Sequence, residues 1–221
     1  MSNYDINSNP ALVRLMIENA KKATKKRREE YPDSLIPHFE KELRELGFEF
    51  EISNQILCFM PKHKETIWPI AIKYYKAAKY DNEKAYFIGF FLHKGFEEVV
   101  PMLLADFYSL DTPRLVRERI TDALWKIRSK KYIEDYLKII SNPEYKTSRV
   151  FITLLVSELK VEEAIPFIVN MLDDTELGGI AVRALGNYKR EEFRLYFERF
   201  ETHKNSGWRK YAKAALTKLE K

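Results

Sequence analysis

The sequence has little cysteine and little glycine, and each shortage excludes a class of structure. Of the 221 residues only Cys58 is a cysteine, so the chain can form neither an internal disulfide nor a cysteine-based metal cluster. Only seven residues are glycine, which argues against β-hairpins and against glycine-rich phosphate loops. Cys58 stands in the apolar run of residues 56–60, and we expect it to be a small buried thiol.

Long apolar runs are also missing. The longest, such as residues 85–92 and 150–156, contain seven or eight residues, whereas a membrane-spanning helix needs roughly 20. The first residues show no basic segment followed by an apolar stretch, so we expect no signal peptide. Together with the single cysteine, these patterns predict a soluble cytoplasmic protein with no membrane partner.

Motifs of the common enzyme classes do not occur. The four histidines are scattered, and none forms an HExxH motif or a pair spaced by four residues. No GxSxG, P-loop or GxGxxG motif is present. The adjacent carboxylates Asp173 and Asp174 lie at an expected helix start, where acidic residues favour the helix dipole. We therefore expect no catalytic residue, no metal site and no cofactor, and we interpret the chain as a non-enzyme.

What the sequence does contain is an internal repeat of about 31–32 residues. A hydrophobic-Pro-hydrophobic step recurs at Pro69, Pro101 and Pro166, and the copy near Ile133 lacks its proline. A second pattern, an apolar or Ala-Leu pair, begins at Phe91, Ala123, Leu154, Ala184 and Ala215. Two interleaved series with one shared period indicate stacked structural repeats.

The hydrophobic periodicity predicts that each repeat is a pair of helices. The proline-bearing first helices are expected at residues 65–80, 96–108, 131–141, 161–172 and 190–201. The second helices are expected at residues 82–93, 113–129, 144–159, 176–188 and 206–219. Because such a pair cannot bury its apolar face alone, neighbouring pairs must stack.

We therefore predict an all-α fold, a right-handed α-α superhelix of about five helix pairs. The repeats cover residues 65–221 and continue from an N-terminal helical cap at residues 1–64 as one solenoid. Within the cap, Phe48–Ile52 alternates between apolar and polar residues, and it is either a short strand or an extended linker.

Three copies carry a more specific pattern. They read Leu110-Asp111-Thr112-Pro113 with Val116-Arg117 and Ala123-Leu124; Ala164-Ile165-Pro166 with Leu172-Asp173-Asp174 and Ala184-Leu185-Gly186; and Trp208-Arg209-Lys210 with Ala215-Leu216. This pattern resembles HEAT repeats, in the short form also found in phycobilisome-lyase-type proteins. The order of cap and repeats is similar to uncharacterised bacterial HEAT-repeat proteins.

The resemblance implies roles for two sets of residues. In one set, an Asp caps the second helix and an Arg bonds to the Asp of a neighbouring repeat, forming a ladder along the stack; these residues are Asp111, Arg117, Asp174 and Arg209. In the other set, outward residues of the second helices line a concave binding face that becomes basic toward the C-terminus. They are Glu118, Asp122, Lys126, Arg149, Thr153, Arg183, Asn187, Lys210, Lys213 and Lys218.

Three functional hypotheses follow. The leading one is a scaffold module whose concave face binds a partner protein, and the basic end of that face suits an acidic segment. The second is binding to a nucleic-acid backbone through this face or through the basic run Lys21–Arg28. Some HEAT-like proteins of this size are DNA glycosylases, but their Trp-Trp-Asp motif is missing here. The third, a lyase-like accessory role, rests on the resemblance alone.

Overall fold

A computed structural model of the chain describes residues 10–220, and all their regular secondary structure is helical. This confirms the all-α prediction for the described part of the chain. The chain divides into two compact units, Met1–Phe90 and Phe91–Lys221. Residues 1–9 and 221 of the two predicted regions lie outside the described residues, and the predicted boundary near residue 64 stays a prediction.

The described part of unit 1, residues 10–90, contains four α-helices, which are α1 (Pro10–Glu30), α2 (Ile36–Glu45), α3 (Met60–Ala77) and α4 (Asp81–Ile88). The fully buried Phe39 of α2 is central to its core, because the ring contacts four other aromatic rings edge-on at centroid distances of 5.1–6.2 Å. These rings belong to Tyr74, Tyr86, Phe87 and Phe90. Edge-to-face packing of this kind adds to the stabilisation from burial alone.

A buried carboxylate connects three segments of unit 1. Glu83 of α4 is 0% exposed. Its Oε1 accepts a hydrogen bond of 2.5 Å from the backbone N–H of Leu35, at the start of α2. Its Oε2 accepts from the N–H groups of Lys79 and Tyr80 at 3.3 and 3.4 Å. One side chain thereby satisfies backbone donors at the beginning of two helices, which would otherwise lack partners.

The segment between α2 and α3 tests two predictions for unit 1. Residues 48–52 form no strand and lead into the 3₁₀ helix Ser53–Cys58, so Phe48–Ile52 is a linker without regular secondary structure. The prediction of a buried thiol is wrong, because Cys58 is exposed at the end of this 3₁₀ helix. The apolar run around it faces partly outward, since its neighbour Leu57 is 42% exposed.

Unit 2 contains eight α-helices among its described residues. They are α5 (Val100–Tyr108), α6 (Arg114–Ile127), α7 (Ile133–Ser141), α8 (Val150–Glu158), α9 (Ile165–Asn170), α10 (Gly178–Tyr188), α11 (Arg194–Phe200) and α12 (Ser206–Leu219). Shorter 3₁₀ helices occur at Gly89–Phe91, at the division between the units, and at Glu97–Val99, Pro143–Arg149, Glu162–Ala164 and Glu191–Phe193. No helix among residues 10–220 is both long and apolar enough to cross a membrane.

The helices of unit 2 pack as consecutive pairs. Each first helix (α5, α7, α9, α11) packs on the second helix that follows it, and the second helices α6, α8, α10 and α12 pack against one another in chain order. The predicted anchor residues lie inside this arrangement, because Ala123, Leu154, Ala184 and Ala215 are each at most 3% exposed. The small anchors let neighbouring helices approach closely, as at Gly186, where an added Cβ would lie 2.7 Å from the Cβ of Ala215.

Candidate binding face of the second helices

The surface shared by α6, α8, α10 and α12, called here the second-helix face, carries most of the predicted binding residues. Eight of the ten are exposed or partly exposed, namely Glu118, Asp122, Lys126, Arg183, Asn187, Lys210, Lys213 and Lys218. The sequence pattern therefore identifies accessible positions on three of these four helices.

The prediction that Arg149 and Thr153 face solvent is wrong. They are 6% and 1% exposed, respectively. Helix α8 lies between α6 and α10 and is buried over residues 152–157. The hydroxyl of Thr153 accordingly donates inward, to the carbonyl oxygen of Arg149 at 2.9 Å.

Arg149 instead joins two helix pairs from inside. Its Nη2 donates to Oδ2 of Asp174 at 3.2 Å, and its Nε donates to the carbonyl oxygen of Lys146 at 3.2 Å. Its Nη1 reaches the carbonyl oxygen of Ile140 at 3.5 Å. Burial lowers the pKa of the Arg149 guanidinium, whereas Asp174 raises it. Arg149 itself directly precedes α8 and has helical backbone angles, whereas Lys146, three residues earlier, lies at φ 45°.

An Asp–Arg bond between neighbouring helix pairs does occur, but it joins Arg149 to Asp174 and does not involve the predicted arginines. Arg117 donates to the carbonyl oxygens of Phe107 and Ser109 within its own pair, at 3.0 and 2.8 Å. Arg209 likewise donates to nearby carbonyl oxygens, so the predicted bonds of these two arginines to a neighbouring Asp are wrong. A side-chain cap by Asp111 is also wrong, because no side chain caps α6.

Asp174 both caps the turn before α10 and links two helix pairs. Its Oδ1 accepts hydrogen bonds from the N–H groups of Glu176 and Leu177 at 2.8 and 3.1 Å, in the turn that leads into α10. Its Oδ2 accepts from Arg149. The carboxylate thereby orders the start of α10 and holds the neighbouring pair in register.

At its N-terminal part the second-helix face carries paired acidic residues. Glu118 accepts hydrogen bonds from Arg114 at 2.8 Å and from the Thr147 hydroxyl at 2.5 Å. Burial alone would raise the pKa of Glu118, but these two hydrogen bonds lower it. Asp122 pairs with Arg119 at 3.1 Å, and burial nevertheless raises the pKa of Asp122. This part of the face is consequently of mixed charge.

In the middle of the face, Glu158 at the end of α8 accepts hydrogen bonds from α6 and the residue after it. The indole Nε1 of Trp125 donates to its Oε2 at 3.2 Å, and Arg128 forms an ion pair with the same oxygen. The Trp125 ring stacks on Phe151 at a centroid distance of 5.5 Å. The charge of Glu158 is therefore already offset by Arg128 of the neighbouring helix pair.

At its C-terminal part the face carries four cations, called here the basic cluster, which consist of Lys160, Arg183, Lys189 and Lys218. None of the four forms an ion pair with a residue in the described part of the chain. Lys160 lies over the ring of Tyr188 at 5.7 Å, and Arg183 lies over the ring of Tyr211 at 5.8 Å. The cluster thus gathers uncompensated positive charge at one end of the face.

A chain of hydrogen bonds across three helices fixes one of these cations. The Nζ of Lys218 donates to Oδ1 of Asn187 at 3.0 Å, and Nδ2 of Asn187 donates to Oγ of Ser157 at 3.0 Å. The fully buried Ser157 hydroxyl donates in turn to the carbonyl oxygen of Leu154 at 2.8 Å. Burial lowers the pKa of Lys218, and Lys160, Arg183 and Lys189 lower it further, whereas Glu158 raises it. The other three cations therefore lie close enough to Lys218 to repel its charge.

Two members of the basic cluster have unusual backbone conformations. Lys160 and Lys189 follow α8 and α10 at φ 61° and 56°, and Arg128 follows α6 in the same left-handed conformation. Glycine is the residue that favours this position after a helix. The predicted binding residues include neither lysine, because the prediction considers only positions within the second helices and both lysines follow the end of a helix. Their spacing was a usable signal, since Lys160, Lys189 and Lys218 recur every 29 residues.

Beside the face, Trp208 of α12 packs on the start of α10. The chain has Gly178 and Gly179 there, and an added Cβ on Gly179 would lie 2.2 Å from Cδ1 of Trp208. The other side of the indole stacks on His203 at a centroid distance of 4.4 Å. The two glycines thus provide the space that the indole of the next pair occupies, which agrees with a packing role for this tryptophan.

We expect Gly179→Ala to lower the free energy of unfolding of unit 2 by about 1–3 kcal/mol, because the methyl group displaces the indole. Denaturant unfolding monitored by ¹⁹F NMR of fluorotryptophan-labelled protein measures this, since Trp125 and Trp208 lie in unit 2 and Trp68 in unit 1. In a Trp208→Leu background the same substitution should have a much smaller effect. An equal loss in both backgrounds would show that the indole is not the cause.

Within residues 10–220, no three His, Cys, Asp or Glu side chains are grouped as metal ligands. No protein-family model matches the sequence, and no curated protein matches it. The HEAT-repeat resemblance accordingly rests on the sequence pattern and stays a prediction.

Proposed function

We propose that this protein is a cytoplasmic, non-enzymatic interaction module, a HEAT-like right-handed superhelix whose second-helix face is concave and binds an acidic segment of a partner protein. The observation that carries the proposal is the basic cluster, four neighbouring cations without an ion-pair partner in the described part of the chain. Uncompensated charge of one sign attracts a ligand of the opposite sign and increases its association rate.

The repeat architecture is supported by hydrogen bonds that join residues about one period apart. Trp125 and Glu158 are separated by 33 residues, Ser157 and Asn187 by 30, and Asn187 and Lys218 by 31. Because each bond joins corresponding regions of neighbouring second helices, these helices form one continuous surface. Such a surface suits an extended or helical segment that contacts several repeats.

The charge distribution favours a protein segment over a nucleic-acid backbone. A strand running along the whole face would place phosphates beside Glu118 and Asp122 as well as beside the basic cluster. Both carboxylates are only partly exposed and are already paired, so they offer a phosphate no attraction. A protein segment can instead place its acidic residues at the C-terminal end alone.

The conformation of the lysines that follow α8 and α10 also supports a binding role. A side chain at φ near +60° is less favourable than glycine by about 1 kcal/mol. Lysine at such a position benefits from the negative end of the helix dipole, but only by about 0.3–1 kcal/mol. The basic side chains therefore gain little net stability from these positions, and their charge is available to a ligand.

The experiment that tests the proposal is titration with a labelled Glu-rich peptide and with its Gln-substituted twin. We expect the Glu-rich peptide to bind, and the double substitution Arg183→Glu/Lys218→Glu to weaken it by at least about tenfold. The matched control is Lys138→Glu, because this exposed lysine lies on the first helix α7. Equal binding of both peptides, or unchanged binding by the double variant, would contradict the proposal.

A short single-stranded DNA serves as the competing ligand in the same titration. If the DNA binds more tightly than the Glu-rich peptide and its affinity decreases steeply with salt, backbone binding replaces the proposed function.

A further inference from the structure

The basic cluster has more hydrogen-bond donors than a single carboxylate can use. Lys218 has three ammonium protons, and Asn187 accepts one of them. Arg183 has five N–H donors, and none reaches an acceptor in the described residues. The ammonium groups of Lys160 and Lys189 are likewise without a described acceptor.

The fold restrains the positions of three of these groups, those of Lys218, Lys160 and Arg183. The Asn187–Ser157 chain of hydrogen bonds holds the Lys218 ammonium, and the rings of Tyr188 and Tyr211 lie beneath Lys160 and Arg183. A restrained cation loses less conformational entropy when it binds an anion than a mobile surface lysine does. The cluster is therefore built more like an anion site than like a solvated charged surface.

We propose that the basic cluster is a phosphate site, and that the acidic segment of the partner carries a phosphorylated side chain at this position. This inference rests on the proposed function and specifies the chemistry of the partner. A phosphate monoester carries roughly −1.5 to −2 charges and three acceptor oxygens at neutral pH. One such group offsets the charge of four cations better than a single carboxylate does. Two of its oxygens can also accept a bidentate pair of hydrogen bonds from an arginine.

The members of the cluster belong to neighbouring second helices or to the residues that follow them. They come from the ends of α8, α10 and α12 and from one turn before the end of α10. Glu158, the acidic residue that raises the pKa of Lys218, is already ion-paired with Arg128. The N-terminal part of the face adds no cation without a partner to extend the site, apart from Lys126, which lies over the ring of Trp125.

The first test uses inorganic phosphate, with acetate at matched ionic strength, followed by amide and arginine NMR signals. We expect phosphate to shift the signals of the four cluster residues in a saturable way, at a concentration about tenfold lower than acetate requires. Equal effects of both anions, or shifts spread equally over Lys210 and Lys213, would overturn the inference.

The second test compares a phosphoserine peptide with its serine and glutamate twins. The phosphopeptide should bind about tenfold more tightly than the glutamate peptide. If the glutamate peptide binds equally well, the phosphate inference fails and the proposed function stands. If neither acidic peptide binds, both fail.

A variant that retains stability separates binding from folding. Lys160→Gly/Lys189→Gly removes two cations at positions where the backbone favours glycine. We expect its unfolding midpoint to be no lower than that of the parent protein, while phosphopeptide affinity falls at least about tenfold. Unchanged affinity in this double variant would overturn the assignment, and Lys138→Gln provides the control for loss of a lysine elsewhere in unit 2.

Discussion

Replacement of Arg149 by methionine is expected to lower the free energy of unfolding of unit 2 by about 2–4 kcal/mol, because it removes the hydrogen bonds of a buried guanidinium and leaves the partly exposed Asp174 without its counter-charge. The Arg149 side chain is 7% exposed and Asp174 is 31% exposed. Methionine fills much of the same volume, so lost packing contributes little. It cannot replace the hydrogen bonds to the carbonyl oxygens of Lys146 and Ile140.

The decisive comparison adds Asp174→Asn to this variant. Asparagine keeps an oxygen that can cap the turn before α10, but it removes the unpaired charge. The double variant should therefore be more stable than Arg149→Met alone. Fluorotryptophan unfolding curves measure the effect in unit 2, and Trp68 in unit 1 serves as the internal control. Additive losses from the two substitutions would show that the pair is not energetically coupled.

Substitution of Glu83 by alanine should have the largest effect in unit 1, a loss of about 2–4 kcal/mol. The change removes the acceptor of three backbone hydrogen bonds, and bonds to a charged group are worth roughly 1.5–3 kcal/mol each before water partly replaces them. Glu83→Gln should be milder, because its single oxygen can still accept on one side while its amide group faces donors on the other.

The ¹⁹F signal of Trp68 follows this unfolding transition, because Trp68 belongs to unit 1 and its Nε1 donates to the carbonyl oxygen of Phe90. Glu65→Gln is a suitable control, since this glutamate is exposed and only weakly paired with Lys64 at 3.8 Å. A loss from Glu83→Ala no larger than that of the control would contradict the connecting role of Glu83.

The positions of the helices could be predicted from the sequence because two apolar patterns share one period. The predicted range Ser206–Leu219 coincides with α12. The first helices of unit 2 begin later than predicted, and short 3₁₀ helices such as Glu97–Val99 precede α5, α9 and α11, whereas α3 of unit 1 begins at Met60, earlier than the predicted residue 65. A hydrophobic pattern does not separate these two helix types, because both bury the same residues.

Side-chain orientation could be predicted only where the repeat is regular. Arg183 and Lys218 lie on α-helices of ordinary geometry, and both are accessible on the second-helix face. Arg149 and Thr153 are buried because α8 packs between α6 and α10. The sequence of α8 alone does not reveal that its outward stripe is covered by its neighbours.

The packing of the large Trp208 against the small Gly179 could have been predicted from the sequence. The repeat that has Gly-Gly where others have bulky residues is followed, one period later, by the repeat with tryptophan. Compensation of this kind needs a comparison between repeats, and it is invisible when each helix is considered alone.

The hydrogen bonds between neighbouring second helices also affect how unit 2 folds during its synthesis. Each of them closes a loop of about thirty residues, as between Ser157 and Asn187, so a newly synthesised pair can find its contacts as soon as it leaves the ribosome. Proteins with such local contacts fold fast. Assembly would then proceed in order of synthesis, and the basic cluster would become complete only when α12 arrives, because Lys218 lies at the end of that helix.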